Sequence, residues 1–175
     1  VETNISGDDL SCEPVKGGAV SIRSADATFQ ACEFVGNSAS HPACSGTGQA
    51  LGGALYVLDS NVEIRQSIFR GNTADGVDSA RGGAISARDS TLVIDGTVFR
   101  SNVARGDFTG GGGIRLLDSS AQLSRVDFIE NVAGRFNAGT ASGGGVAALR
   151  STLDVVSARF IGNSVEPGAG WSCLG

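Results

Sequence analysis

Three aspartates at regular spacing are the residues of this chain whose type and arrangement could do chemistry. Asp59, Asp89 and Asp118 are each followed by serine and stand 30 and 29 residues apart. If each interval is one turn of a repeated structure, the carboxylates stack about 4.8 Å apart, where they could bind Ca²⁺ or act as an acid–base pair. The Asp-Ser pair is equally typical of a turn, because both side chains bond their own backbone. No histidine or lysine accompanies them at a matching interval, so we expect turns, with calcium as the weaker candidate and no catalytic group.

These aspartates belong to a repeat that occurs five times. The repeats begin at Gly17, Gly52, Gly82, Gly111 and Gly143. With that glycine as position zero, each repeat has phenylalanine at position 17 (Phe34, Phe69, Phe99, Phe128, Phe160) and asparagine at position 20 (Asn37, Asn72, Asn102, Asn131, Asn163). Linking segments of 14, 9, 8 and 11 residues separate the units, as in solenoids that accept insertions in loops. We interpret 1–175 as a single segment of a longer solenoid, with a partial repeat at 1–16.

Within each unit, apolar residues alternate with polar ones in three places. Positions 3 and 5, 10 and 12, and 15 and 17 follow this period of two, which predicts three short strands joined by corners too short for a helix. Such strands can coil so that each pairs in parallel with its equivalent one turn on. The fold class is therefore all-β, a right-handed parallel β-helix of about five to six turns, the hand following from the general crossover preference. A propeller, the competing architecture, needs four strands per blade.

The invariant residues have structural roles in such a coil. The phenylalanines would stack as a buried column, and the asparagine amides would bond from turn to turn, each asparagine also tolerating a left-handed backbone. The paired glycines would allow positive φ and close approach of the backbone. If position 17 points into the coil as assigned here, Phe99→Ala should destabilise the protein, which tests the assignment directly.

One histidine and four cysteines are the remaining reactive residues. His41 has no evident partner, and no Cys/His cluster has zinc spacing. Cys12 and Cys44 follow the repeat asparagines by eight and seven residues and would lie in neighbouring loops at nearly the same height, so we predict a disulfide between them, with free thiols as the alternative. Cys32 is expected inside the coil, while Cys173 is expected to pair with a cysteine in a later segment of the longer solenoid. No cofactor is predicted.

Charge and hydropathy exclude two classes of partner. The net charge is −5, and the thirteen basic residues, all arginine except Lys16, are scattered over the repeats, so nucleic acid is not expected as a partner. No apolar run approaches the roughly 20 residues of a membrane helix, so direct membrane insertion is not expected either.

Two outward-facing columns are partly apolar. Position 6 contains Leu58, Leu117 and Leu149, and position 18 contains Val35, Ile129 and Ile161. Either the linking loops fold back over these columns, or another chain or segment packs on them.

The combination of Gly-Gly-Ala-Val/Leu/Ile with Phe-x-x-Asn resembles the repeats of chlamydial polymorphic membrane proteins. Three repeats carry the full glycine motif, beginning at Gly17, Gly52 and Gly82, and all five carry the Phe-x-x-Asn tetrad. The resemblance implies a surface-exposed right-handed β-helix of the pectin-lyase-like superfold, used in adhesion. We therefore expect an extracellular or cell-surface segment with a structural or adhesive role, other segments or subunits and possibly glycans as partners, and no enzyme activity. The alternative is a carbohydrate-active lyase or hydrolase.

Overall fold

The chain forms an all-β parallel solenoid. The computed structural model describes residues 5–6, 14–41 and 48–166, with the backbone alone at 5–6 and 135–138. In chain order its strands are β1 (Ile5–Ser6), β2 (Val15–Lys16), β3 (Val20–Arg23), β4 (Asp26–Gln30), β5 (Glu33–Val35), β6 (Ser38–His41), β7 (Gln49–Leu51), β8 (Leu55–Leu58), β9 (Asn61–Arg65), β10 (Ile68–Arg70), β11 (Thr73–Gly76), β12 (Ser79–Arg81), β13 (Ile85–Arg88), β14 (Thr91–Asp95), β15 (Val98–Arg100), β16 (Val103–Gly110), β17 (Ile114–Leu117), β18 (Ser120–Ser124), β19 (Asp127–Ile129), β20 (Val132–Ser142), β21 (Val146–Leu149), β22 (Thr152–Val156), β23 (Arg159–Ile161) and β24 (Ser164–Glu166).

Each repeat supplies one strand to each of three five-stranded parallel sheets. Sheet 1 has the order β21-β17-β13-β8-β3, sheet 2 the order β22-β18-β14-β9-β4, and sheet 3 the order β23-β19-β15-β10-β5. Every strand pairs with its equivalent one turn away, so that Phe69 lies opposite Phe34 on one side and Phe99 on the other. The predicted parallel β-helix with three strands per unit is confirmed, and the parallel pairing excludes a propeller.

The linking segments form a fourth sheet where the repeat pattern predicts loops. Strands β6, β11, β16, β20 and β24 begin directly after the repeat asparagines, and β2, β7 and β12 end directly before the glycine pair. Insertions are absorbed along this sheet, whose register shifts between Gly106 and Phe108. A small cluster of alanines, rather than large side chains, packs behind it: Ala39, Ala50, Ala74, Ala80 and Ala104.

Corners with positive φ separate the strands in every turn. They fall at repeat positions 0, 7, 14 and 19, as in Gly82 (φ 68°), Asp89 (49°), Gly96 (58°) and Ser101 (53°) of the third repeat. The asparagine at position 20 tolerates a left-handed backbone but does not adopt it, because the residue before it has the positive φ. The left-handed residue turns the chain, and the asparagine that follows is free to point inward.

The glycine pair is required by space as well as by φ. A Cβ on Gly52 (φ 69°) would lie 1.9 Å from the carbonyl oxygen of Leu55, and one on Gly53 would lie 2.1 Å from that of Gly83 in the next turn. Because backbone atoms cannot yield, any side chain would force the turns apart at this corner. The glycines therefore set the tight junction between sheets 4 and 1.

The position-17 phenylalanines form a continuous aromatic stack inside the coil. Successive ring centroids are 4.6, 4.8, 5.0 and 4.9 Å apart, and neighbouring rings are within 10° of parallel. The first four rings are buried, whereas Phe160, on the last described turn, is 51% exposed. Aliphatic side chains of sheets 1 and 2 complete the core around the stack.

Candidate binding cleft

The asparagine ladder is fully engaged in holding the turns together. Each side-chain Nδ2 donates to the Oδ1 of the next turn, at 2.8 to 2.9 Å from Asn37 through to Asn163. Each Oδ1 also accepts from a backbone N–H of the turn before, and Nδ2 of Asn72, Asn102 and Asn131 donates to the phenylalanine carbonyl of that turn. Because Asn37, Asn72, Asn102 and Asn131 are completely buried, their amides stabilise the coil and present nothing to a ligand.

The aspartates at position 7 lie at corners with positive φ. Asp59, Asp89 and Asp118 have φ of 49 to 50°, and the serine after each forms its own ladder: Ser90 Oγ donates to the carbonyl of Arg88 and accepts from the N–H of Ser60. This geometry is that of a turn, in which a short polar side chain tolerates the left-handed conformation.

The three carboxylates have different neighbours. Asp59 accepts from Ser24 Oγ (3.3 Å), Asp89 lies 3.2 Å from Arg88 Nε, and Asp118 is held by two bonds from Arg150 (2.6 and 2.7 Å). The hydrogen bond from Arg150 lowers the pKa of Asp118. Within residues 14–41 and 48–166, no three histidine, cysteine, aspartate or glutamate side chains are placed to hold a metal ion.

Substitution of Asp89 separates a turn role from a carboxylate role. We expect Asp89→Asn to change the free energy of unfolding by less than about 0.5 kcal/mol, because asparagine tolerates positive φ. Asp89→Val should cost about 1 to 2 kcal/mol, since a β-branched residue is strained there. Chemical denaturation measures both. An equal loss in the two variants, or a calcium-dependent rise in the melting temperature that Asp89→Asn removes, would contradict the turn role.

The other reactive residues do not assemble a site. Cys12, Cys44 and Cys173 lie outside the described residues, so the disulfide remains a prediction. Cys32 is a free thiol, half-buried, whose Sγ lies 3.4 Å from the carbonyl of Gln30. His41 is buried in sheet 4, on the inner side of the coil.

A cleft of about 440 Å³ opens where sheet 4 meets sheet 1. Its floor is made by outward side chains of sheet 1, including Tyr56, Ser86 and Arg115. One wall is formed by the strand ends before the glycine pairs, and the other by position 6 of the repeat. The cleft crosses four consecutive turns, a length of about 14 Å at the spacing of β-strands.

Cations and leucines alternate from turn to turn on both walls. Lys16, Leu51 and Arg81 succeed each other on one wall, and Arg23, Leu58, Arg88 and Leu117 on the other. Five of the basic residues thus face one cleft, which differs from the scatter that the sequence suggested. The leucines at position 6 that the sequence assigned to an apolar outer column, Leu58 and Leu117, are half-buried as parts of this wall, whereas Leu149 on the last described turn is exposed.

The positive charge of the cleft is largely uncompensated. Arg88 pairs with Asp89, but Lys16, Arg23, Arg81 and Arg115 have no carboxylate partner among the residues that the structure describes. Tyr56 lies beneath two of them, with Lys16 Nζ 6.0 Å and Arg23 Cζ 5.7 Å from the ring centroid. Burial, followed by the charges of Arg81 and Arg150, lowers the pKa of Arg115 below its usual value.

Sequence reasoning missed Lys16, Arg81 and Arg115 as members of one site. Lys16 and Arg81 stand directly before the glycine pair, in segments interpreted as variable loops, and Arg115 is the sole cation at position 4. The available signal was that a basic residue, Lys16 or Arg81, directly precedes the first glycine in two of the repeats. It becomes meaningful only when the linking segments are known to be strands in register with each other.

The fold and these ladders define a parallel β-helix protein. Residues 66–88 match the model of the Chlamydia polymorphic membrane protein repeat. This stretch contains the second Phe-x-x-Asn tetrad and the third Gly-Gly-Ala motif, so the resemblance drawn from those residues is confirmed there. Comparison with curated proteins and with solved structures gave no match.

The repeat match and the fold indicate a surface or outer-membrane-associated β-helix protein. In the described part of the chain, no helix could span a membrane.

Proposed function

We propose that this chain is an extracellular adhesive segment, in which a rigid β-helix presents the cleft of sheets 4 and 1 to a partner. The cleft is the observation that carries the proposal. Interior side chains hold the coil through stacked rings and buried amides, so binding can be left to outward residues that do not repeat. Those residues are concentrated in a concave surface with uncompensated charge, which is how binding sites are commonly built.

The adhesive function is favoured over catalysis by the placement of the carboxylates. Asp59, Asp89 and Asp118 serve as corner residues, and Asp118 is already bonded to Arg150. A glycosidase requires two carboxylates facing a common substrate, and a base must be free to take up a proton. We therefore infer a binding segment, with other segments or subunits of a surface assembly as further partners at exposed apolar residues such as Leu149 and Ile161.

Filling the cleft tests the adhesive function. We expect Ser86→Trp, which places an indole on the cleft floor, to abolish attachment of beads coated with the chain to epithelial cells or to extracted plant cell wall. Ser86 faces outward on sheet 1 between Tyr56 and Arg115, so the new ring occupies the ligand's space rather than the core. Attachment is counted after washing, and the melting temperature verifies that the variant is folded.

Val93→Trp is the matched control, because Val93 lies in the same turn but faces outward from sheet 2, where a shallower groove runs. Its attachment should equal that of the wild type. Loss of attachment with Val93→Trp alone would transfer the adhesive role to sheet 2, and a wild-type chain that attaches to neither surface would refute the proposal.

A further inference from the structure

We propose that the cleft binds a linear acidic polysaccharide whose carboxylate or sulfate groups recur on alternate sugars. This inference rests on the proposed adhesive function and names the chemistry of its ligand. Three features of the cleft carry it: unpaired cations, their spacing, and the side chains between them.

The unpaired cations require an anion. Arg115 is half-buried, and its Nε is buried without a hydrogen-bond partner among the described residues. A buried donor left unsatisfied is costly, and more so in a charged group. Arg81, which has no ion pair either, is close enough to disfavour the charge of Arg115. One carboxylate or sulfate between the two guanidinium groups would accept charge-assisted hydrogen bonds from them and relieve the repulsion.

The spacing of the cations selects a periodic ligand. Lys16 and Arg81 occupy the same column two turns apart, as do Arg23 and Arg88 on the facing wall. Two strand spacings are about 9.5 Å. One sugar of an extended polysaccharide advances the chain by roughly one strand spacing, so acidic groups on alternate sugars would meet the cations on both walls.

The leucines of the cleft provide a surface for a neutral sugar between two acidic ones, and the tyrosine holds two of the cations in place. Leu51, which is largely buried, and Leu58, which is half-buried, line the cleft in the turn between the cations, where the apolar face of a neutral sugar can pack. Tyr56 is only 5% exposed and lies below Lys16 and Arg23, so it positions their charges and offers no free ring face. Single-stranded nucleic acid, which needs accessible aromatic rings for its bases, is therefore disfavoured.

The test measures binding of three polysaccharides to the whole chain by isothermal titration. Hyaluronate carries carboxylates on alternate sugars, chondroitin sulfate carries sulfates as well, and dextran is neutral. We expect binding of hyaluronate, with or without binding of chondroitin sulfate, weakened by added salt, and no binding of dextran. Binding of hyaluronate, alone or together with chondroitin sulfate, would identify the carboxylate as the recognised group. Binding of chondroitin sulfate alone, in which every sugar is acidic, would contradict the alternation of acidic and neutral sugars.

Two double variants with the same change in net charge assign the binding to the cleft. Arg81→Gln with Arg115→Gln should lower the affinity about tenfold or more, because each loses a charge-assisted hydrogen bond. Arg70→Gln with Arg100→Gln, which removes two exposed arginines from the outer face of sheet 3, should change it less than about twofold. Melting temperatures verify that all variants fold.

Several outcomes would overturn the proposal. These are equal losses in the two double variants, no binding of either acidic polysaccharide, or tighter binding of single-stranded DNA than of both. If Ser86→Trp abolishes attachment while Arg81→Gln with Arg115→Gln retains it, the cleft is adhesive but its ligand is not anionic. If Ser86→Trp leaves attachment unchanged while the arginine variants lose polysaccharide binding, the ligand assignment stands and the adhesive function fails.

Discussion

Replacing Phe99 by alanine is expected to lower the free energy of unfolding by about 3 to 5 kcal/mol. Phe99 is completely buried in the middle of the aromatic stack, with ring centroids of Phe69 and Phe128 at 4.8 and 5.0 Å. Removing the ring deletes two stacking contacts and leaves a cavity that the coil cannot close, because the strand spacing on either side is fixed by backbone hydrogen bonds. Chemical denaturation, followed by far-ultraviolet circular dichroism, measures the change.

Phe108→Ala is the matched control, since Phe108 is 57% exposed on sheet 4. It should cost less than about 1 kcal/mol. A similar small loss for Phe99→Ala would show that the stack contributes little and that the aliphatic residues of sheets 1 and 2 carry the core.

Asn102→Ala is expected to cost about 3 kcal/mol or more, although the residue is smaller than phenylalanine. Its Oδ1 accepts from both the backbone N–H and the Nδ2 of Asn72, while its Nδ2 donates to Asn131 Oδ1 and to the carbonyl of Phe69. The substitution removes the acceptor of the Asn72 N–H, which costs about 1 to 3 kcal/mol in an interior that water does not reach. The bonds from Nδ2 of residue 102 to Asn131 Oδ1 and to the carbonyl of Phe69 are lost as well, although Asn131 Oδ1 keeps the N–H of residue 102, and the side chain leaves a small cavity. Denaturation under the same conditions gives the comparison with Phe99→Ala.

Asn61→Ala removes an exposed amide that makes one bond to Asp26, at 2.9 Å, and should cost less than about 1 kcal/mol. If Asn102→Ala is no more destabilising than this control, the buried asparagine amides do not contribute measurably to the stability of the coil. A change in slope of the unfolding transition, without a change in midpoint, would instead indicate that turns on either side of Asn102 unfold separately.

The repeat pattern determined the fold because every inward position is constrained by the same position one turn away. Phenylalanine at position 17 and asparagine at position 20 recur in all five repeats, and in a parallel coil these equivalent residues stack directly on each other, as the rings and amides do here. The glycine pair could likewise be read correctly, since a left-handed corner that also touches the next turn tolerates no other residue. These requirements recur in every turn, so the sequence records them as a repeat.

The same reasoning was incomplete where the repeat pattern did not specify which residue turns the chain or which backbone groups pair. Asparagine tolerates a left-handed backbone, but Asn102 does not adopt one; Ser101 before it has the positive φ, which turns the chain so that the amide points into the core. The linking segments were expected as loops because their lengths differ, yet they pair as sheet 4, since backbone hydrogen bonds do not depend on which side chains are present.

The cleft depended on tertiary structure alone. Arg81 and Arg115 are 34 residues apart and in different columns, and only the junction of sheets 4 and 1 brings them to one surface. Residues that hold the coil must repeat because each turn is supported by the next. The cations on the cleft walls recur only in alternate turns and come from two different columns, so the turn-by-turn repeat did not show them as one site, and the folded chain was needed to locate it.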